Sequence, residues 1–359
     1  MSISLHIIGS RQLGGAERFH MRLVRALNKR GHTAISVNRP NSPVHIALEG
    51  KVRQAQIPMR NGWDVFSSMN IRRLIRESRA SIVQTYLGRA SRLMRYSRYH
   101  DAIHVARLGG YYKINGYYEH AHAWVGNTHG ICEYLVNNGL PAQRVYLIGN
   151  FVSICPPTPD RTLIPLRRSL GIPLDAIILF SLGRFVRRKG IDDLLTAFAQ
   201  IQPEFHERPI YLAIAGDGPL NEKLQRYGEE LGVHRRLRWL GWQKDPGYYY
   251  DMADLFVCPS RQEPLGNVIL EAWAHQLPVI SSRTLGAVEL IQDRVNGVLV
   301  PANSPRGLAR GLLEVLKAGD RAWNCLAGEG MQTLRANHSE EVVVDAYLTM
   351  YHELMSKDC

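Results

Sequence analysis

Two glutamates in the stretch Arg261–Ala274 are spaced so that they could contact one elongated polar ligand at two depths. Glu263 follows an apolar run that predicts a strand, and Glu271 lies about two turns into the helix predicted next. Carboxylates accept hydrogen bonds from sugar hydroxyls. Gly266 and Asn267 begin that helix, whose free backbone N–H groups and positive dipole suit an anion. The order strand, glutamate, glycine, helix, glutamate therefore indicates a site for a polar ligand with negative charge.

A second segment supplies the positive charge that such a ligand would need. Four cations lie on one predicted loop between a strand and a helix: Arg184, Arg187, Arg188 and Lys189. Arginine side chains match phosphate oxygens, and lysine supplies a point charge. Such a pair can stabilise a diphosphate leaving group as negative charge develops on it. The alternative is a solvated basic loop, although this half of the chain is otherwise slightly acidic.

A diglycine loop, Gly14-Gly15, follows the first predicted strand and precedes a helix. Glycines there let the backbone approach a ligand, and the helix N-terminus favours an anion. The loop lacks the G-x-G-x-x-G pattern, which disfavours a dinucleotide site and a nicotinamide dehydrogenase. An ordinary tight turn remains the structural alternative.

The elements that must position these residues alternate between strand and helix along the chain. The predicted strands are Ile3–Ile8, Thr33–Val37, Ser81–Thr85, His104–Leu108, Ala123–Gly126 and Val145–Ile148, then Ile177–Leu182, Ile210–Ala215, Leu237–Leu240, Leu255–Cys258, Pro278–Ser281 and Gly297–Val300. Short apolar runs before glycine or polar sequence are typical of parallel sheets buried on both faces. The predicted fold class is therefore α/β, with two doubly wound Rossmann-like domains facing across a cleft and ligands outside the carboxyl ends of the strands.

The proline-rich stretch Cys155–Asp160 predicts a linker between the two domains. We accordingly divide the chain into residues 1–155, residues 156–338 and a last helical segment, residues 339–359. Hydrophobic residues make up 45% and charged residues 21% of the sequence, which excludes a disordered or collagen-like chain.

The net charge of +12 belongs to the first half of the chain. Residues 1–160 hold 21 Lys and Arg against 8 Asp and Glu, whereas residues 161–359 hold 23 against 24. This asymmetry indicates an anionic partner, which could be a membrane surface, an acidic lipid-linked substrate or nucleic acid; solubility alone is the alternative. Arginines recur every third residue at Arg89, Arg92, Arg95 and Arg98, which predicts a basic stripe, and a second cluster spans Arg72–Arg79.

The cysteines and the N-terminal residues indicate the cellular compartment in which we expect the protein. The five cysteines are odd in number, and no pair has metal-ligand spacing, which favours a reducing compartment and no structural metal. The N-terminal residues are typical of a buried strand rather than a signal peptide, and no apolar stretch is long enough to span a bilayer. We expect a cytoplasmic protein, soluble or peripheral on the inner face of the membrane.

Gly183–Gly190 and Arg261–Ala274 together resemble the retaining glycosyltransferases of GT-B fold, glycosyltransferase family four. The E-x7-E motif of that family is present here as Glu263 and Glu271. The resemblance covers nearly the whole chain, and further stretches that carry it are Gly14–Glu17, Val145–Val152, Ala215–Leu220, Gly241-Trp242 and Gly297–Pro301.

The resemblance implies a role for each candidate residue. Arg184 and Lys189 would hold the donor diphosphate, and Glu263 would hold the donor sugar; these three are the predicted catalytic residues. Glu271 would hold the ribose of the donor, and Gly14 and Gly15 would approach its phosphates from the first domain. The donor would also contact four backbone positions: Leu265, Gly266, Asn267 and Val268.

By the same resemblance the protein is a hexosyltransferase that needs no metal and no cofactor, with cations in the metal's place. The donor would be a nucleoside diphosphate sugar, a UDP-sugar above others, bound by the second domain. The first domain would take the acceptor, a sugar on a glycolipid, lipopolysaccharide or other cell-envelope glycan, and the final helix would cross back onto it. No nucleic acid is expected as partner.

One departure from the family concerns the acceptor side. Many relatives carry a histidine near the donor sugar, where this sequence has Gly109. We assign Arg89, Arg92, Arg95 and Arg107 to the acceptor or membrane side, and Arg107 or Arg89 would compensate for the missing histidine. Two other functions stay open: a nucleotide-sugar epimerase of the same fold, and a basic nucleic-acid-binding protein, which would bind with a strong salt dependence.

Overall fold

The computed structural model describes residues 2–95, 102–202, 205 and 207–357. The chain divides into two compact units, of which the first comprises residues up to 151 together with those from 340 onward, and the second comprises residues 152–339. Each unit is built around one sheet.

The first unit contains a seven-stranded sheet in the order β3-β2-β1-β4-β5-β6-β7, in which every pair of neighbouring strands is parallel. Its elements up to the last strand are β1 (Ile3–Ile8), α1 (Gly15–Lys29), β2 (Thr33–Asn38), α2 (Pro43–Leu48), β3 (Gln54–Gln56), α3 (Val65–Ser78), β4 (Ile82–Tyr86), α4 (Leu87–Met94), β5 (Ile103–Leu108), β6 (Ala123–Gly126), α5 (His129–Asn137) and β7 (Val145–Leu147).

The second unit contains a six-stranded parallel sheet in the order β10-β9-β8-β11-β12-β13. Its elements are α6 (Asp160–Ser169), β8 (Ile177–Leu182), α7 (Ile191–Ile201), β9 (Ile210–Ala215), α8 (Asn221–Glu230), β10 (Leu237–Gly241), α9 (Gly247–Met252), β11 (Leu255–Cys258), α10 (Asn267–Ala274), β12 (Val279–Ser282), α11 (Leu285–Leu290), β13 (Val298–Val300) and α12 (Pro305–Asn337).

Alternate side chains of the central strand β8 explain why helices cover both faces of its sheet. Ile177 and Leu179 pack into one apolar core, and Ile178 and Phe180 pack into another on the opposite face. Successive side chains of a strand point to opposite faces, so an uninterrupted apolar run needs two covering layers.

The last helix, α13 (Glu340–Lys357), packs within the first unit. Val344, Tyr347 and Leu354 are fully buried in the core that also contains Phe19 of α1. The hydroxyl of Tyr351 donates a hydrogen bond of 2.6 Å to the side-chain oxygen of Gln84 in β4. The final helix therefore contributes to the core of a unit that begins more than three hundred residues earlier in the chain.

The prediction of two parallel α/β domains is confirmed, and all the predicted strands are present with small shifts at their ends. Two short elements, β3 with three residues and α2 with six, were not predicted, because so few residues leave little periodicity to detect. The predicted end of α12 lay near residue 317, whereas the helix continues past a kink at Gly319, where φ is 72°. Arg98 of the predicted stripe lies outside the described residues.

The strand order reverses direction between β1 and β4 in the first sheet, and between β8 and β11 in the second. Loops leaving the carboxyl ends of such neighbours run apart and open a crevice, where open α/β sheets bind ligands. In the second sheet these two loops are residues 183–190 and 259–266, which hold the predicted cations and Glu263. Among the helices of the described residues, none combines the length and apolarity needed to cross a membrane.

Candidate functional site

Lys189 and Glu263 meet at the crevice of the second unit, although 74 residues separate them in the chain. The ammonium group of Lys189 forms an ion pair with Oε2 of Glu263, and the two side chains are only 17% and 15% exposed. The hydroxyl of Ser260 donates to the same oxygen at 3.3 Å. A cation and a carboxylate thus share one partly buried place, which can accept a phosphate and a hydroxyl-rich group side by side.

Arg261 ties the two loops together beneath this pair. Its guanidinium donates to both oxygens of Asp193, at 2.8 and 2.7 Å, and to Asp192 at 2.8 Å. It also donates to the carbonyl oxygen of Arg187 at 3.0 Å. These hydrogen bonds, that to Asp193 above all, raise the pKa of Arg261. This cluster was not predicted from the sequence, where its signal is the pair of aspartates at the start of α7, directly after the cation-rich loop.

Glycines allow the loops to approach one another. Gly190 has a φ of 62°, and a Cβ atom there would overlap the carbonyl oxygen of Pro259. Gly216 has a φ of 145°, and a Cβ there would overlap the carbonyl oxygen of Gly183. Since L side chains rarely adopt this backbone region, glycine at both positions keeps the crevice narrow.

Residues Leu265, Gly266, Asn267 and Val268 form the turn into α10. Gly266 is the N-cap, with a φ of 88°, and Asn267 and Val268 are the first two helical residues, half-buried. The side chain of Leu265 is buried in the core, so it is not presented to a ligand. The amide of Gly286 donates to the carbonyl oxygen of Glu263 at 2.9 Å and holds the turn in place.

Glu271 lies on α10 and is half-buried. The hydroxyl of Tyr250 donates to its Oε2 at 3.3 Å. The ring of Tyr250 stacks on His275, with ring centroids 5.1 Å apart, and His275 contacts Asp251 at 2.6 Å. This chain of contacts orients the carboxylate of Glu271. The spacing of the motif alone did not reveal these contacts.

The four predicted cations of the loop differ in their surroundings. Arg184 is exposed and forms no ion pair or side-chain hydrogen bond with another residue that the structure describes. Arg187 and Arg188 are exposed as well, and their carbonyl oxygens bind Arg261. Lys189 is therefore the cation of this loop that the fold aims at the carboxylate.

Gly14 and Gly15 are exposed at the start of α1 in the first unit. The amide of Gly14 donates to Oε2 of Glu17 at 2.8 Å. Glu17 is buried and closes the helix start, so it is a capping residue. The two glycines are exposed, and contact of their backbone with a ligand stays a prediction.

Arg89, Arg92 and Arg95 do not form one exposed basic stripe. Arg89 is half-buried and donates to the carbonyl oxygen of Gly9 at 2.8 Å. Arg92 stacks on the ring of Trp63, 3.5 Å from its centroid. Arg95 is exposed, at 4.0 Å from Glu119. The stripe was expected from a continuous helix, but α4 ends at Met94 and its arginines pack against neighbouring loops.

Arg107 is almost fully buried in the first unit, at 3% exposure. It donates to the side-chain oxygen of Asn150 and stacks over Phe19, 3.9 Å from the ring centroid. A Cβ atom on Gly109 would lie 3.5 Å from Nη1 of Arg107. The guanidinium of Arg107 therefore borders Gly109, and its role on the acceptor side stays a prediction.

Among the residues that the structure describes, no group of three His, Cys, Asp or Glu side chains could hold a metal ion. Metal independence of the reaction stays a prediction.

Comparisons with known proteins match both halves of the chain. Residues 13–154 match the family described as Glycosyltransferase Family 4, and residues 164–325 match Glycosyl transferases group 1. The lipopolysaccharide core biosynthesis glycosyltransferase LpsE of Rhizobium meliloti is 33% identical over 94% of this chain and 95% of its own length. LpsD of the same organism is 31% identical over 96% of each chain.

A solved structure of Anabaena HepE in complex with UDP-glucose has a similar fold. Its TM-score is 0.82 at 19% identity, and the likeness covers 99% of this chain and all of that one. At this identity the likeness concerns the fold alone.

Proposed function

This chain belongs to the glycosyltransferases, with a Family 4 region followed by a group 1 region, and we propose that it transfers a sugar from a nucleoside diphosphate sugar with retention of configuration. The observation that carries the proposal is the Lys189–Glu263 pair at the crevice of the second sheet. A cation for a diphosphate and a carboxylate for sugar hydroxyls lie together where an open α/β sheet binds its ligand.

Each residue of the site takes a role in this proposal. Lys189 and Arg184 hold the diphosphate, and the negative charge that develops there as the bond breaks strengthens both contacts. Glu263 accepts hydrogen bonds from the sugar, the backbone from Leu265 to Val268 supports it, and Glu271 accepts from the ribose. Gly14 and Gly15 of the first unit offer exposed backbone at a helix start, which suits a phosphate.

Retention follows in this proposal from attack on the face that the diphosphate leaves. The bond between the anomeric carbon and the phosphate oxygen breaks, and the acceptor hydroxyl oxygen bonds to the same carbon. The proton of that hydroxyl passes to the leaving phosphate, which departs as the nucleoside diphosphate. Lys189 and Arg184 offset the charge of the leaving group, a role that needs no metal or cofactor.

For the acceptor we propose a sugar of a lipid-linked cell-envelope glycan, lipopolysaccharide core above others. Two relatives that span nearly this whole chain are described as lipopolysaccharide core biosynthesis glycosyltransferases, and they do not favour an epimerase or a nucleic-acid-binding protein. A UDP-hexose is the preferred donor, because a structure of this fold holds UDP-glucose. The basic first half suits a phosphate-bearing acceptor at the inner membrane face, with the protein in the cytoplasm.

A thermal-shift series with uridine, guanosine and adenosine diphosphate sugars tests the donor. At a ligand concentration of about 100 Kd we expect about 2.7 kcal/mol of stabilisation, which raises Tm by roughly 5–10 °C for a domain of this size. The anomeric configuration of the product, measured by NMR, tests retention. If no nucleotide sugar raises Tm, the proposed donor site is wrong; an inverted product would contradict the mechanism alone.

A further inference from the structure

Four large apolar side chains stand exposed within seven residues of the first unit. Trp63, Val65, Phe66 and Met69 are 60%, 60%, 79% and 59% exposed; we name them the apolar patch. Single exposed apolar residues are ordinary on protein surfaces, whereas a contiguous group marks a place of interaction. The charge pattern of the sequence did not reveal this patch.

The loop that carries the apolar patch is held firmly. Asp64 caps α3 by accepting from the amide of Ser67 at 3.1 Å, and it accepts from the amide of Arg60 at 2.9 Å. The amide of Met59 donates to the hydroxyl of Ser67 at 2.9 Å. Arg92 lies over the ring of Trp63. The exposed side chains are therefore presented by an ordered loop and helix start.

Helix α3 places cations directly behind the apolar patch. Its buried side, with Ile71 and Ile75, packs into the core on the α4 face of the sheet. On the exposed side, Met69 is followed one turn later by Arg72 and Arg73 and then by Arg76. Arg72, Arg73 and Arg76 are all exposed, and Arg73 also forms an ion pair with Glu77 at 2.6 Å.

We propose that this face of α3 docks on an anionic lipid bilayer, with the apolar patch inserted at the headgroup level and Arg72 and Arg76 on the lipid phosphates. Aromatic and aliphatic side chains beside cations are the composition of interfacial membrane contacts. The excess of positive charge in residues 1–160 favours an anionic surface over a neutral protein partner. This inference adds a membrane contact to the acceptor side of the proposed function. Vesicle binding can nevertheless be measured without sugar transfer.

Vesicle co-sedimentation of the full chain tests the apolar part. The probes are vesicles of phosphatidylcholine with and without phosphatidylglycerol. Phe66→Ser with Met69→Ser should weaken binding to the anionic vesicles at least tenfold, because both side chains lose their apolar contact with the membrane. Ile46→Ser is the matched control, since Ile46 is 63% exposed on α2, whose buried residues pack into the core on the other face of the sheet.

The same assay tests the charges. Each arginine near an anionic surface contributes roughly fivefold to binding, so Arg72→Gln with Arg76→Gln should cost about 25-fold and reduce the salt dependence. Arg25→Gln with Arg53→Gln, both exposed elsewhere on the unit, should leave more of the binding intact. Equal losses in the two double variants would overturn the placement of the contact on α3.

Brominated lipids report insertion directly. They should quench the fluorescence of Trp63, and the quenching should disappear in Trp63→Phe but persist in Trp242→Phe, a tryptophan 57% exposed on the second unit. Quenching that persists in Trp63→Phe overturns the proposal. The proposal is also overturned if the protein does not bind anionic vesicles and instead self-associates through the apolar patch, because the patch would then be a contact with a second copy of the chain. The donor-dependent Tm shift, measured on the same variants, keeps this outcome separate from the donor site.

Discussion

Two ion pairs of the second unit join segments that lie far apart in the chain. Lys189 meets Glu263, and Arg261 meets Asp193. Removing one member of such a partly buried pair leaves the other without its counter-charge, which costs more than the pair itself contributes. These pairs therefore preserve the shape of the crevice as well as its charge.

Lys189→Ala should weaken binding of a nucleoside diphosphate roughly 10- to 150-fold, because one hydrogen bond to a charged group contributes about 1.5–3 kcal/mol. Calorimetric titration with UDP measures this change. Arg188→Ala is the control, since it removes the same charge from the neighbouring, exposed position. Equal weakening in the two variants would mean that the loop acts through its total charge, against the role given to Lys189.

Among the elements, the turns after β8 and β11 decide the width of the crevice. Gly190 lets the first turn lie against Pro259 in the second, and the amide of Arg261 donates to the carbonyl oxygen of Arg188 at 2.8 Å. Both strands belong to one sheet and pair directly, which places the start of each loop within the reach of the other.

Gly190→Ala should separate these turns and reduce donor affinity. Gly232→Ala is a matched control, because Gly232 also has a positive φ, of 71°, but a Cβ there meets nothing within 4 Å. Both variants carry a backbone cost of about 1–2 kcal/mol, and Gly190→Ala adds the overlap with Pro259. Urea unfolding and UDP titration should show a larger loss of both stability and affinity for Gly190→Ala. Equal effects would exclude the contact as the cause.

At the scale of the whole molecule, buried histidines make the stability of the first unit depend on pH. The first unit buries His6, His20 and His104, whose pKa values are lowered, by burial first of all. For His20 the pKa falls to about 3. These rings stay neutral in the folded protein at pH values where the unfolded chain takes up protons.

The first unit should therefore lose stability as the solution is acidified below about pH 6.5. Above that pH, His20 is neutral in both states; below it, the unfolded state alone is protonated, until the folded ring also titrates near pH 3. Each buried histidine then costs about 1.4 kcal/mol per pH unit. In urea unfolding, His20→Gln should remove one such contribution from the slope; His129→Gln, at an exposed position of the same unit, is the matched control. An unchanged slope in His20→Gln would show that His20 is protonated in the folded protein.

The sequence by itself determined the parallel α/β class, every described strand except β3, and the loops on which Lys189 and Glu263 lie. Apolar runs and glycine positions are local properties of the chain, since strand burial and turn geometry depend on neighbouring residues. The order of the motifs was enough for a resemblance to a family that the comparisons then confirmed as glycosyltransferases.

Only the tertiary structure decided which charges are neighbours. Lys189 meets Glu263 across 74 residues, and Arg261 meets Asp193 across 68, because the strand order places β8 beside β11. The arginine stripe was predicted wrongly. Regular spacing predicted one exposed basic surface, but Arg89 contacts Gly9 and Arg92 contacts Trp63. Exposure likewise depends on what packs against a side chain, so the apolar patch on α3 emerged only from the folded chain.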